Sequence, residues 1–243
     1  MEEAVRIEVD GLVLAGTGEH RDYLERVRHR RREALMANLL RDAAAPGMTV
    51  VDVGAFLGYF SLVAALEVGP GGRVLAFEPD PRDFPWLERN VALNGMGDRI
   101  TPLLRAAVDR QGTTRLFLAE GDQSQTSIYP GENRDQGIEV ACTSVDVELG
   151  GEPAGLIKID VEGAELRALR GMERTLEAAG RDVTLFVEWN PGALLDAGEP
   201  PDAVPRRLEE LGFKVRMIDE EQRTLRAPGP FRGAYANLYC TRR

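Results

Sequence analysis

The sequence predicts an α/β fold: a mostly parallel sheet with one antiparallel terminal strand, flanked by helices. Three observations predict it. Short β-branched runs alternate with helical stretches from residue 49 onward, the pattern of parallel strands joined by crossovers in a sheet covered on both faces. Glycines or acidic residues stand where those runs end, and ligands of open α/β sheets gather at such strand ends. The last two apolar runs, over 213–218 and 236–240, are joined by "DEEQRTLRAPGPFRGAY", which has no helical pattern, so they pair as an antiparallel hairpin.

A chain of 243 residues suits one α/β domain, expected over 46–243, preceded by a helical accessory segment over 1–45. No window approaches the roughly 18 consecutive apolar residues of a membrane span, and the acidic opening "MEEAVRIEVDG" lacks the basic start and apolar run of a secretory signal. The expectation is a cytoplasmic protein that does not cross a membrane. A net charge of −10 opposes nucleic-acid binding, which needs a positive field. Cys142 and Cys240 stand too far apart for a metal cluster and read as reduced core or strand residues.

In order, "RDYLERVRHRRREALMANLLRD" predicts one helix over 21–42. Its arginines, Arg26, Arg28, Arg30, Arg31 and Arg32, form either a solvated face or a docking surface for an anionic substrate or acidic carrier protein. His20 and His29 read as surface residues, with His20 a base only if this segment folds over a pocket. A strand at 49–53, a glycine turn and a helix over 57–67 follow, then a strand at 74–77 with an acidic end and a helix closing at Asn94-Gly95. "DRITPLLRAAV" supplies a third strand. Residues near 105–145 alternate around the turn-rich "GDQSQTSIYPGENRDQG", which predicts a hairpin or loop insertion. A strand at 154–160, a helix over 164–179, a strand at 183–189 and a helix over 202–211 complete the alternation.

The strand ends carry the candidate site. "VDVGAFLGYF" places Asp52, then Gly54 and Gly58, in a tight strand-to-helix turn, and "FEPD" ends the next strand on Glu78, suited to a ribose diol. A dinucleotide site is the competing reading. However, Ala55, Phe56 and Leu57 follow Gly54, so G-x-G-x-x-G is incomplete, and an acid at Asp52 suits an ammonium-bearing cofactor better than a diphosphate. In "IKIDVEGAEL", Lys158 and Asp160 share one face of a strand. The only other lysine is Lys214, so composition does not explain a lysine there. Opposite charges on a central strand must compensate each other or a ligand.

The segments "VVDVGAFLGYFSL", "VLAFEPDP", "LERNVALNG", "AAVDRQGTTRLFL", "TSVDVEL", "LIKIDVEGAELRALRGMERTL" and "FVEWNP" together resemble the FkbM-type family of S-adenosylmethionine-dependent methyltransferases, with "KIDVEGAE" the most specific. The resemblance implies a Rossmann-like class I methyltransferase sheet, S-adenosylmethionine as cofactor, and O-methylation of a small-molecule hydroxyl acceptor, a sugar or secondary metabolite. It implies that Asp52 and the Gly54 and Gly58 turn hold the methionine end, and that Glu78, beside Pro79, takes the ribose. Phe56 occupies a cofactor-turn position where the family often has Asn.

Methyl transfer to an alcohol requires alignment of the acceptor oxygen and removal of its proton. Asp160 is the candidate for that task. Lys158 would hold Asp160 ionised or, with a lowered pKa, act as base itself. Glu188, ending the next strand, is another carboxylate aimed at the pocket, while Glu162 and Glu165 read as helix-cap or surface charges. Asp160 with Glu188 would suit a divalent cation, yet nothing else calls for a metal and none is assigned. A homodimer stays open. The rival readings are an inactive cofactor-binding module that docks through the arginine-rich helix, and an NAD-dependent oxidoreductase.

Overall fold

The computed structural model describes residues 4–29, 33–119, 123–131, 134, 136–229 and 235–242. It opens on an antiparallel hairpin, β1 (Val5–Val9) and β2 (Leu12–Gly16). Asp10 and Gly11 both take positive φ, 54° and 77°, the primed turn whose twist suits a two-residue hairpin loop. The hairpin corrects the expectation that 1–45 is helical. A second correction is that α1 (Arg21–Arg28) and α2 (Ala34–Ala43) divide the helix expected over 21–42. Glu33 precedes α2 with φ 60°, a left-handed conformation that a continuous right-handed helix does not contain. Arg30, Arg31 and Arg32 lie outside the described residues.

Next come β3 (Thr49–Val53), α3 (Tyr59–Val68), β4 (Arg73–Phe77), α4 (Phe84–Leu93) and β5 (Ile100–Leu103). A small separate sheet follows, built from β6 (Ala106–Ala107), β7 (Gly112–Phe117) and β8 (Gly137–Thr143) in the order β6-β8-β7. The chain continues through α5 (Val145–Glu148), β9 (Leu156–Ile159), α6 (Glu165–Arg170), α7 (Glu173–Ala179), β10 (Thr184–Trp189), α8 (Pro191–Asp196) and α9 (Ala203–Glu210). It ends in β11 (Phe213–Asp219), β12 (Thr224–Arg226) and β13 (Ala236–Arg242). The helix expected over 164–179 breaks at Gly171, where the chain presses so close to β6 that a Cβ would lie 2.0 Å from the Val108 carbonyl oxygen.

The main sheet runs β12-β11-β13-β10-β9-β3-β4-β5. Strands β5, β4, β3, β9 and β10 are parallel neighbours, whereas β13 inserts antiparallel between β10 and β11. One face packs the hairpin and α2 to α4 around Leu57, Leu62, Val74 and Leu87, and the other packs the later helices around Ile157, Leu169, Leu185 and Leu208. Cys142 and Cys240 are buried free thiols. Strand order reverses between β3 and β9, since β4 follows β3 on one side and β9 lies on the other, which is where an open α/β sheet forms its ligand crevice.

Candidate active site

A cleft opens at this reversal. Its walls come from the loops after β3, β4, β9 and β10, from α1, and from residues 124–128 of the loop between β7 and β8. No described helix is long and apolar enough to cross a membrane.

The β3–α3 turn is shaped by its neighbours. Gly54 has φ 80°, and a Cβ there would lie 1.8 Å from the Asp160 carbonyl oxygen. Gly58, with φ 89°, would meet Leu87 Cδ1 at 2.6 Å. Packing against the Asp160 backbone therefore demands glycine at 54, whereas at 58, where only the end of a flexible leucine is met, the left-handed φ does. Gly54 does line the cleft, with Ala55, Phe56, Glu78 and Pro79, but Gly58 caps α3 behind it. Phe56 adopts φ 50°, an uncommon conformation for a bulky residue, which brings its backbone N–H to Glu78 Oε2 at 2.8 Å. Asp80 N–H donates to Glu78 Oε1, also at 2.8 Å. Each oxygen of this buried carboxylate retains acceptor capacity toward a ligand. Burial, and then the neighbouring Asp83 charge, push the Glu78 pKa up to about 8.

Lys158 is the hub of the next layer. Its ammonium donates to the Gly54 carbonyl at 3.1 Å, lies 3.4 Å from Asp52 Oδ1 and 3.2 Å from Asp160 Oδ2, and stands 5.5 Å from the Phe60 ring centre. Ser61 Oγ donates to Asp52 Oδ2 at 2.6 Å. Two sequence expectations change here. Asp52 is buried behind the cleft wall and engaged by Lys158 and Ser61, so it does not present its carboxylate to a ligand. Lys158 does not have a lowered pKa: burial opposes its charge, but Asp160 and Asp52 outweigh burial and hold it protonated. With one ammonium shared between two carboxylates, burial still pushes Asp52 up from its ordinary value. Asp160 remains 32% exposed at its side chain, so of the two acids on Lys158 it alone reaches the cleft.

Beyond Asp160 the wall is acidic. Glu162 is neither a helix cap nor a surface residue: α6 begins at Glu165 with Ala164 before it, and Glu162 is buried with φ 47°. Gln125 Nε2 donates to its Oε1 at 2.8 Å and Asn190 Nδ2 to its Oε2 at 3.0 Å, while Ser127 Oγ donates to its carbonyl at 2.6 Å. Burial, then the charges of Asp160 and Glu165, raise its pKa to about 8. Glu165 is wholly buried and accepts the Gly163 N–H at 3.1 Å; mainly through burial its pKa stands at about 7. Glu188 lines the cleft while buried, and its Oε2 has no hydrogen-bond partner among the described residues. No group of three or more His, Cys, Asp or Glu side chains among the described residues is placed to hold a metal ion.

The N-terminal segment roofs the cleft. Asn90 of α4 and Asn94, which caps its C-terminus, act as surrogate strand partners for β2: their side chains exchange hydrogen bonds of 2.7–3.0 Å with the N–H and C=O groups of Val13 and Ala15. This satisfies an edge that would otherwise stay unpaired. His20, expected at the surface, is 2% exposed and its Nε2 lies 2.9 Å from Asp83 Oδ1. Thr17 N–H donates to His20 Nδ1 at 2.9 Å, which leaves Nε2 as the protonated nitrogen that donates to Asp83. Tyr23 packs edge-on to Phe56 with ring centres 4.8 Å apart. Tyr23 and Arg26 line the cleft.

The family model for the methyltransferase FkbM domain matches residues 52–215. The chain belongs to the FkbM methyltransferase family. Methyltransferase sdnD of Sordaria araneosa is 30% identical over 198 residues, 68% of this chain and 73% of that protein. The 31-O-demethyl-FK506 methyltransferase FkbM of Streptomyces tacrolimicus is 30% identical over 181 residues, 61% of this chain and 68% of that protein. The methyltransferase FkbM structure from Methylobacillus flagellatus aligns with TM-score 0.51 at 17% identity, covering 84% of this chain and 50% of that one, a likeness of fold. This FkbM-family methyltransferase thus has the α/β sheet of the class I S-adenosylmethionine-dependent enzymes, and its cleft stands where that fold binds ligands.

Proposed function

We propose that the protein is an O-methyltransferase that uses S-adenosylmethionine to methylate a hydroxyl of a small polar or glycosylated molecule. The cleft residues fit such a cofactor. Glu78, with both oxygens preset by backbone N–H groups, suits a ribose diol, and the apolar strip of Pro79, Ala106, Ala107 and Leu116 suits a flat base. When bound, the cofactor supplies an activated methyl group on a sulfonium.

The chain supplies orientation and a proton acceptor. The observation that carries the reading is the Asp160 carboxylate, open to the cleft yet tied at 3.2 Å to a buried ammonium. Lys158 steadies Asp160 and links it to the β3–α3 turn through the Gly54 carbonyl. Asp160 would position the acceptor hydroxyl and take its proton as the oxygen bonds to the methyl carbon and that carbon's bond to sulfur breaks, leaving a neutral thioether. The name of the Streptomyces relative, which specifies an O-demethylated acceptor, favours oxygen as the methylated atom.

Calorimetric titration with S-adenosylhomocysteine tests the cofactor assignment. Micromolar binding that Glu78→Ala abolishes is expected; no binding by the wild type would overturn the reading. Turnover lost in Asp160→Asn with S-adenosylhomocysteine binding retained would assign Asp160 its role.

A further inference from the structure

The acidic wall is more than the proton acceptor needs. Glu188 is 6% exposed, lines the cleft and leaves Oε2 without a partner among the described residues. Protonated or ionised, that oxygen is a buried polar atom unsatisfied by the protein, which is costly unless a ligand completes it.

Among the described residues, the cations at or near the cleft are already engaged. Lys158 is shared by Asp52, Asp160 and the Gly54 carbonyl. Arg134 is bonded to the Gln125 carbonyl and to Asp196, and Arg26 has a partner of its own. We propose that the acceptor of this methyltransferase carries a protonated amine beside its reacting hydroxyl, and that Glu188 receives that amine. The inference rests on the methyl-transfer reading above. In support, burial and the charges of Asp160, Glu162, Glu165 and Glu33 all raise the Glu188 pKa, as expected where negative charge outweighs positive among the described residues.

Position argues for the acceptor rather than the cofactor's own amino group. Glu188 is the penultimate residue of β10 and Glu78 follows β4, with β9 and β3 between them. Three strand spacings of about 4.8 Å put them roughly 14 Å apart, with Asp160 between. A divalent cation fits less well. Glu162 has both oxygens occupied by the Gln125 and Asn190 amides, and no group of three metal-binding side chains is assembled among the described residues.

The test is calorimetry on protein saturated with S-adenosylhomocysteine. Glucosamine, mannosamine and 2-aminocyclohexanol are each compared with the N-acetyl counterpart, which keeps the hydroxyls and removes the charge. At least one amine should bind about tenfold tighter than its counterpart, the worth of one charge-assisted hydrogen bond. Glu188→Gln should erase that preference and leave S-adenosylhomocysteine affinity within about twofold, which also reports that the variant is folded. Equal binding of amine and N-acetyl partner throughout would overturn the proposal, as would a preference that survives Glu188→Gln. Loss of S-adenosylhomocysteine binding in the variant would assign the wall to the cofactor instead. If the wild type bound no S-adenosylhomocysteine, the methyl-transfer reading would fail; binding without amine preference would sink this inference alone.

Discussion

The ammonium of Lys158 lies 3.2 Å from Asp160, and the same ammonium lies 3.4 Å from the buried Asp52. One cation thus joins a carboxylate open to the cleft to one buried behind its wall. Removing it strands Asp52, and breaking a buried pair from one side costs about 3–5 kcal/mol. Because Asp160 keeps contact with water, we expect Lys158→Met to lose about 3 kcal/mol, the lower end. Asp52→Asn combined with Lys158→Met should regain more than about 1 kcal/mol in chemical denaturation. A single variant as stable as wild type would refute the hub.

Gly54 and Gly69 separate two causes of strain. Both have positive φ, but a Cβ at Gly69 meets nothing within 4 Å, whereas at Gly54 it collides with the Asp160 carbonyl. Gly69, at φ 63° and ψ −169°, occupies backbone space essentially reserved for glycine, so Gly69→Ala should cost about 1–3 kcal/mol, the backbone penalty alone. Gly54→Ala should exceed it by at least about 1–3 kcal/mol, the range for overpacking. Equal denaturation midpoints would show that the close approach of the two strands carries no weight.

Glu162 makes stability depend on pH. Its pKa rises from 4.5 to about 8 in the folded protein, so the fold favours the protonated form. Its contribution is complete below pH 4.5 and is lost as pH rises toward 8. Asn190 Oδ1 accepts the Gly192 and Ala193 N–H groups, which fixes its amide with Nδ2 toward Glu162 Oε2. The proton therefore belongs on Oε1, and the Gln125 amide, whose O and N places are interchangeable, then presents its oxygen there instead of Nε2. Glu162→Gln reproduces that arrangement without a titratable group. It should raise Tm by about 2–4 °C near pH 8.5, the shift expected for about 1 kcal/mol in a chain this size, and change little near pH 4.5. Parallel Tm curves for variant and wild type would count against it.

His20→Ala should loosen the roof. Asp83, 1% exposed, would lose its partner at a cost of about 1–3 kcal/mol. The Val13 and Ala15 amides, bonded to Asn94 and Asn90 at the far end of α4, whose N-cap is Asp83, should exchange faster with solvent. Unchanged exchange at those amides would show that the histidine does not anchor the hairpin.

Where periodicity is strong, sequence and structure coincide. The strand read over 49–53 is β3 to the residue, and the antiparallel pairing of the last two apolar runs is β11 against β13. The first hairpin was readable too. Asp10-Gly11 between alternating apolar residues is a strong hairpin signal, masked by the dense arginine and helical patterning that follows. Other differences have no local signal. His20 is buried because a segment remote in sequence supplies Asp83, and Asp52 turns inward because Ser61 and Lys158 engage it. Glu162 looked like a cap because its spacing to the next helix fits one; its true partners, Gln125 and Asn190, come from an insertion and from the end of another strand. Side-chain roles set by distant segments are invisible to windows along a single chain.

The antiparallel insertion of β13 also dictates an order of events during synthesis. β10 and β11 are made first, yet neither pairs with the other; the slot between them waits for residues 236–242. Until those emerge, two strand edges lie open to pairing with other chains. The nascent protein is therefore most exposed to aggregation while most of its sheet is already translated, and a ribosome stalled before residue 236 would hold a sheet that cannot close.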